Sequence, residues 1–65
     1  MIRVLGRESV IIELKQPETV EYIMKRNGLS EERFVCIRGG YPLTADETIQ
    51  PEDDVQFLEI FSGGM

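Results

Sequence analysis

Histidine is absent from this chain and cysteine occurs once, at Cys36. A single cysteine closes no internal disulfide, and without histidine there is no Cys/His set to hold zinc. The same absence removes Ser/His/Asp chemistry. No apolar run approaches the roughly 18 residues needed to cross a bilayer, and no signal-peptide pattern opens the sequence. The expected location is therefore the cytoplasm. At 65 residues the chain has room for one domain. A domain this short buries only about 60% of its unfolded surface, so its stability has to come from an economical, well-patterned core.

Basic residues are missing from the second half. Residues 39–65 carry Asp46, Glu47, Glu52, Asp53, Asp54 and Glu59 with no base, whereas residues 1–38 carry all seven bases against six acids. The net charge of −5 lacks the basic footprint that nucleic acid requires, and the same sign argues against anionic membranes. A partner with a basic surface fits the acidic half, and the acids also keep a small protein soluble. The glycine-spaced ligand pattern of a calcium loop is missing, so the acids do not read as a metal site.

The hydrophobic pattern begins with a period of two. Ile2 and Val4 mark a first strand, and Val10, Ile12 and Leu14 a second. An odd loop around Gly6 places Val4 opposite Val10 and gathers all five on one face, whereas an even loop sends the first pair to the opposite side. The odd loop is expected. From Thr19 the spacing becomes helical through Val20, Ile23 and Met24, with Thr19 as N-cap, Gly28 as a left-handed stop and Leu29 as its apolar contact. Such a helix, about eight residues long, is too short to hold without a sheet beneath it.

A third strand covers Phe34 to Ile37 and ends at Gly39-Gly40. A short extended piece, Tyr41-Pro42-Leu43, follows, where Pro42 fits an edge or strand end. Ile49 plugs the core from a polar connection, and Gln50-Pro51-Glu52-Asp53 forms a type I turn. Val55 to Phe61 is the last strand. The expected fold is α+β, a β-grasp (ubiquitin-like) domain with a mixed sheet of four to five strands, one main helix, and central parallel first and last strands. It spans residues 1–61, and residues 62–65 form a flexible tail with Gly63 and Gly64. The expected core includes Val4, Val10, Ile12, Val20, Ile23, Val55 and Phe57.

Several stretches together resemble the small ubiquitin-like sulfur carriers of thiamin and molybdopterin biosynthesis, the ThiS/MoaD family. They are the helix from Thr19 with its Gly28-Leu29 stop, the strand Glu32 to Ile37 with Gly39-Gly40, the acidic turn Pro51-Glu52-Asp53-Asp54, and the ending Phe61-Ser62-Gly63-Gly64. The resemblance covers nearly the whole chain. It implies a protein cosubstrate rather than an enzyme, with no cofactor of its own. A ubiquitin-activating-type enzyme adenylates the Gly64 carboxylate with ATP, and a sulfur donor converts it to a thiocarboxylate that a sulfur-accepting synthase consumes. Met65 departs from the pattern, because it makes the Gly64 carbonyl an amide; a peptidase has to remove it first. Side-chain-free Gly63 and Gly64 permit close backbone approach in a nucleotide site.

Alternation in the last strand turns Val55 and Phe57 toward the helix, with Glu59 on their face reaching solvent. Leu58 and Ile60 then point outward beside Gln56, with Leu5 on the same side of the first strand. These three, with Phe61 as an anchor, are the expected partner-binding residues. Cys36 reads either as a buried small hydrophobe or as outward-facing if Val35 and Ile37 face the core. Two other readings stay open beside sulfur carriage. One is a ubiquitin-like modifier joined to lysines through Gly64, and the other is a noncovalent β-grasp interaction module with an inert tail.

Overall fold

The computed structural model describes residues 1–6 and 8–60. The alternating start of the chain forms a hairpin in which β1 (Ile2–Leu5) pairs antiparallel with β2 (Val10–Ile12). Ile2 lies opposite Ile12 and Val4 opposite Val10, the register of the odd loop. Ile2 and Val4 are buried, so a slip of one residue would expose both.

The chain next forms the two-residue β3 (Glu18–Thr19) and then α1 (Val20–Arg26). The helix is short, and its ends are closed by specific partners. The Thr19 hydroxyl accepts from the Tyr22 N–H at 3.1 Å. The Val20 and Glu21 N–H groups donate to the carbonyls of Glu47 and Ala45, so the first turn is satisfied from a neighbouring segment. At the other end Gly28 takes φ +68°, and the Leu29 N–H reaches back to the Met24 carbonyl at 2.8 Å. That pairing is a Schellman stop, and only glycine enters it without a side-chain penalty.

β4 (Phe34–Arg38) and β5 (Tyr41–Leu43) form a second hairpin. Its two-residue turn, Gly39-Gly40, has positive φ at both positions, which matches the twist of the flanking strands. β6 (Thr48–Ile49) pairs with β3 in a separate two-stranded sheet, and Ile49 is fully buried, as expected of a plug. The Asp53 N–H donates to the Gln50 carbonyl across the proline turn at 3.0 Å. β7 (Val55–Glu59) completes the fold and ends short of the expected Phe61, which lies outside the described residues with the rest of 61–65.

The main sheet is mixed and five-stranded, in the order β2-β1-β7-β4-β5. Its central pair, β1 and β7, is parallel, and the other pairings are antiparallel. With one helix on one face, the architecture is α+β. The core joins Ile2 and Val4 of β1, Cys36 of β4, and Val55 and Phe57 of β7 to Val20, Ile23 and Met24 of α1, with Ile49 from β6. Among the described residues no helix is long and apolar enough to cross a membrane.

One expected core residue is misplaced. Val10 is 47% exposed. It has the predicted register and faces the helix side, but it sits on the edge strand. A seven-residue helix is only about 10 Å long, and its buried side chains meet β1, β4 and β7. Ile12 and Leu14 reach that cluster in part, and Val10 stays at its margin.

Candidate functional site

The helix leaves one face of the sheet uncovered, and strand register determines what stands there. Val4 and Phe57 point into the core, so their neighbours Leu5 and Leu58 point away from it. The parallel ladder sets Leu5 directly beside Leu58, and the antiparallel ladder sets Val35 on the other side of Leu58. Three half-buried apolar side chains thus form one row across β1, β7 and β4. A second row runs parallel to it: Ile11, Arg3, Gln56, Ile37 and Pro42. Here Arg3 and Gln56 break the apolar surface, so the hydrophobic part is concentrated toward the C-terminal end of β7.

Leu5 and Leu58 occupy the positions expected of them. Ile60 stands just beyond β7 and is 47% exposed. Its N–H donates to the Arg33 carbonyl at 2.7 Å, and it lines a groove of about 400 Å³ with Val20 and Met24 of α1 and with Phe34, Cys36 and Leu43. Ile60 thus stands among helix-side residues and not in the Leu5–Leu58 row where it was expected, because β7 ends at Glu59 and strand alternation no longer sets its facing. Phe61, Gly63 and Gly64, the other residues assigned to partner binding and activation, lie outside the described residues.

Val35 is the member of the row that sequence reasoning did not assign to the site. Phe34, Val35, Cys36 and Ile37 are all apolar, so alternation within β4 carries no information about its facing. Pairing with β7 supplies it. Cys36 lies opposite the fully buried Phe57 and is itself 3% exposed, which turns Val35 and Ile37 outward. Burial pushes the Cys36 thiol up to about 11 from 9.0, opposed by nearby Arg38 and reinforced by Glu47. It is a protonated core residue at neutral pH, not a nucleophile.

The charged residues near the site serve the fold in large part. Glu59 reaches the protein surface from the core side of β7 and pairs with Arg33 at 3.2 Å. Asp53 accepts from the Arg38 guanidinium at 3.0 Å and from the Gln50 N–H at 2.9 Å, which ties the proline turn to β4. Of the acidic turn, Glu52 and Asp54 remain as exposed charges. Asp46 is held below the usual carboxylate range, chiefly by the Thr44 hydroxyl that donates to it. Among the described residues no three carboxylate or thiol groups converge in a way that would hold a metal ion. The Leu5–Leu58–Val35 row is a half-buried apolar surface on the helix-free face of the sheet. No family model matches the chain, and no curated protein matches it.

Proposed function

We propose that the chain is a β-grasp sulfur carrier whose Gly64 carboxylate is activated by a ubiquitin-activating-type enzyme. The observation that carries this reading is the Leu5–Leu58–Val35 row. It lies on the helix-free face, and its middle residue belongs to the strand that leads in sequence into Phe61-Ser62-Gly63-Gly64. Docking through this row brings the carrier's end to the partner's nucleotide site, with Phe61 as an anchor. The Gly64 carboxylate attacks the α-phosphate of ATP and expels pyrophosphate. Hydrosulfide released by a sulfur donor then attacks the acyl carbon, the bond to the AMP oxygen breaks and AMP leaves. The thiol proton passes to water, and a thiocarboxylate remains for a synthase of thiamin or molybdopterin biosynthesis. The carrier supplies the carboxylate and the recognition surface, and its partner supplies catalysis.

Activation needs a free carboxylate, so whatever follows Gly64, Met65 included, has to be removed by a peptidase. ATP–pyrophosphate exchange with the cognate adenylating enzyme should be supported by the 1–64 chain and not by a chain that retains Met65. Equal exchange by both, with Met65 verified as attached, would eliminate activation at Gly64. Mass spectrometry of protein from its native host separates the neighbouring readings. An oxygen-to-sulfur exchange on the Gly64 acid marks a carrier, and a Gly-Gly remnant on lysines marks a protein modifier. Met65 intact under all conditions marks a noncovalent interaction module.

A further inference from the structure

The last residue of β7 breaks the pattern of its strand. Val55 and Phe57 are fully buried on the helix side, and Glu59 follows them on the same face. A carboxylate there gives up the apolar burial that a third hydrophobic residue would add. The Glu59 side chain is 16% exposed and meets the Arg33 guanidinium at 3.2 Å, whereas the Arg33 side chain is 63% exposed. An ion pair with one partner so far in solvent adds little to stability, so the carboxylate needs another reason to be there.

Three features fix its place. Gly6, just after β1, approaches so closely that a Cβ there would stand 2.5 Å from Glu59 Oε1 and 2.9 Å from Glu59 Cβ. The second contact is the firmer limit, because a Cβ cannot swing aside as a carboxylate can. The Arg33 N–H donates to the Ser30 carbonyl at 3.0 Å, so the cation is carried on a turn with its own support. The Ile60 N–H donates in turn to the Arg33 carbonyl. Arg33 therefore grips two consecutive residues, Glu59 through its side chain and Ile60 through its backbone. The β4–β7 ladder ends with Glu59 opposite Phe34, so this grip lies where the chain leaves the sheet.

We propose that Glu59, seated against Gly6 and held by Arg33, is a positioning residue: it fixes the line along which the chain leaves the sheet at Ile60, and so the place to which Gly64 is delivered. This role rests on activation at Gly64, and no member of the Leu5–Leu58–Val35 row performs it. Leu58, one residue earlier, points to the opposite face, so docking and aim are set from the two sides of one strand. Leverage makes the aim matter. At about 3.3 Å per residue, an extended run from Ile60 to Gly64 would span about 13 Å, and a turn of about 15° at its base would displace its end by about 3 Å. A misplacement of about 1 Å can cost a hundredfold in rate.

The test compares the nearly isosteric Glu59→Gln with the unaltered protein. In the 1–64 chain, titration with the cognate adenylating enzyme should give affinities within about twofold, while ATP–pyrophosphate exchange at saturating carrier should fall about tenfold. Arg33→Gln, which alters an exposed side chain, should lose as much, and Arg33→Lys should keep most of the rate. The double variant of Arg33→Gln with Glu59→Gln should be no slower than either alone. Gly6→Ala should match them, because its methyl displaces the carboxylate. In the full chain, amide hydrogen exchange in Glu59→Gln should quicken at least about tenfold at Ile60 and stay unchanged at Val55. A normal pyrophosphate-exchange rate in Glu59→Gln, lost affinity with the saturated rate intact, additive losses in the double variant, or unaltered amide protection at Ile60 would overturn the proposal and leave activation at Gly64 standing. Absence of pyrophosphate exchange with the unaltered 1–64 chain would remove both.

Discussion

Replacing Phe57 and Leu58 one at a time separates the two faces of β7. Phe57 is fully buried, and its register neighbours Val4 and Cys36 are buried with it, so Phe57→Ala opens a cavity at the centre of the core. Such truncations cost about 3–5 kcal/mol. A chain of this length has a total stability of roughly 3–10 kcal/mol, so most of the margin is lost. At about 4–8 °C per kcal/mol for small domains, the midpoint should fall by at least about 12 °C. Leu58→Asp one position later removes a half-buried side chain from the other face. It loses roughly 1 kcal/mol of apolar burial and leaves the core intact. Thermal and urea melts on both variants measure the contrast, and titration of folded Leu58→Asp with the adenylating enzyme measures docking. Loss of a central anchor should weaken that complex by about 2 kcal/mol or more. Equal destabilisation by the two variants would refute the facing assigned to β7. Unchanged affinity in folded Leu58→Asp would move the docking face elsewhere.

Three further outcomes are expected. Ile23→Ala should cost about 2–5 kcal/mol in a urea melt, because Ile23 is 2% exposed; a loss under about 0.5 kcal/mol would mean the helix face is misassigned. Asp53→Asn should lose about 1 kcal/mol at low salt and less at high salt, since its carboxylate joins the Arg38 guanidinium to the Gln50 N–H; a salt-independent loss would contradict the ionic part of that role. The Cys36 thiol, raised from 9.0 to about 11, stays protonated in the fold after it ionises in the unfolded chain. Stability should therefore decline as pH rises from 9 toward 11, by at most about 3 kcal/mol, and Cys36→Ala should flatten that part of the profile.

Those parts of the fold whose side chains differ between faces were legible in the sequence. Ile2, Val4 and Val10 fixed the first hairpin register, Thr19 and Gly28 bounded the helix, and Pro51 marked the turn before β7. Leu5 and Leu58 could be placed on the helix-free face for the same reason: their neighbours Val4 and Phe57 have a definite core role. Three features carried too little signal. The β3–β6 ladder has two residues on each strand, too few for a period to show. Val10 has the right parity, and its exposure depends on how far a seven-residue helix reaches across the sheet. Val35 was hidden because both parities of β4 are apolar.

That double apolarity bears on the site. A strand that is hydrophobic on both faces usually belongs to a sheet covered on both sides. Here α1 covers the face of Cys36, and Val35 and Ile37 stand on the other with Leu5 and Leu58. Apolar side chains there add little to the core, and a polar residue at any of these positions would serve solubility better. Their alignment in one row depends on the parallel β1–β7 pair, which sets Val4 beside Phe57 on one face and Leu5 beside Leu58 on the other. A one-residue slip of β7 would carry Phe57 to solvent and Leu58 to the core in the same step. The register that completes the core therefore also assembles the row, and the burial of Phe57 holds Leu58 on the helix-free face.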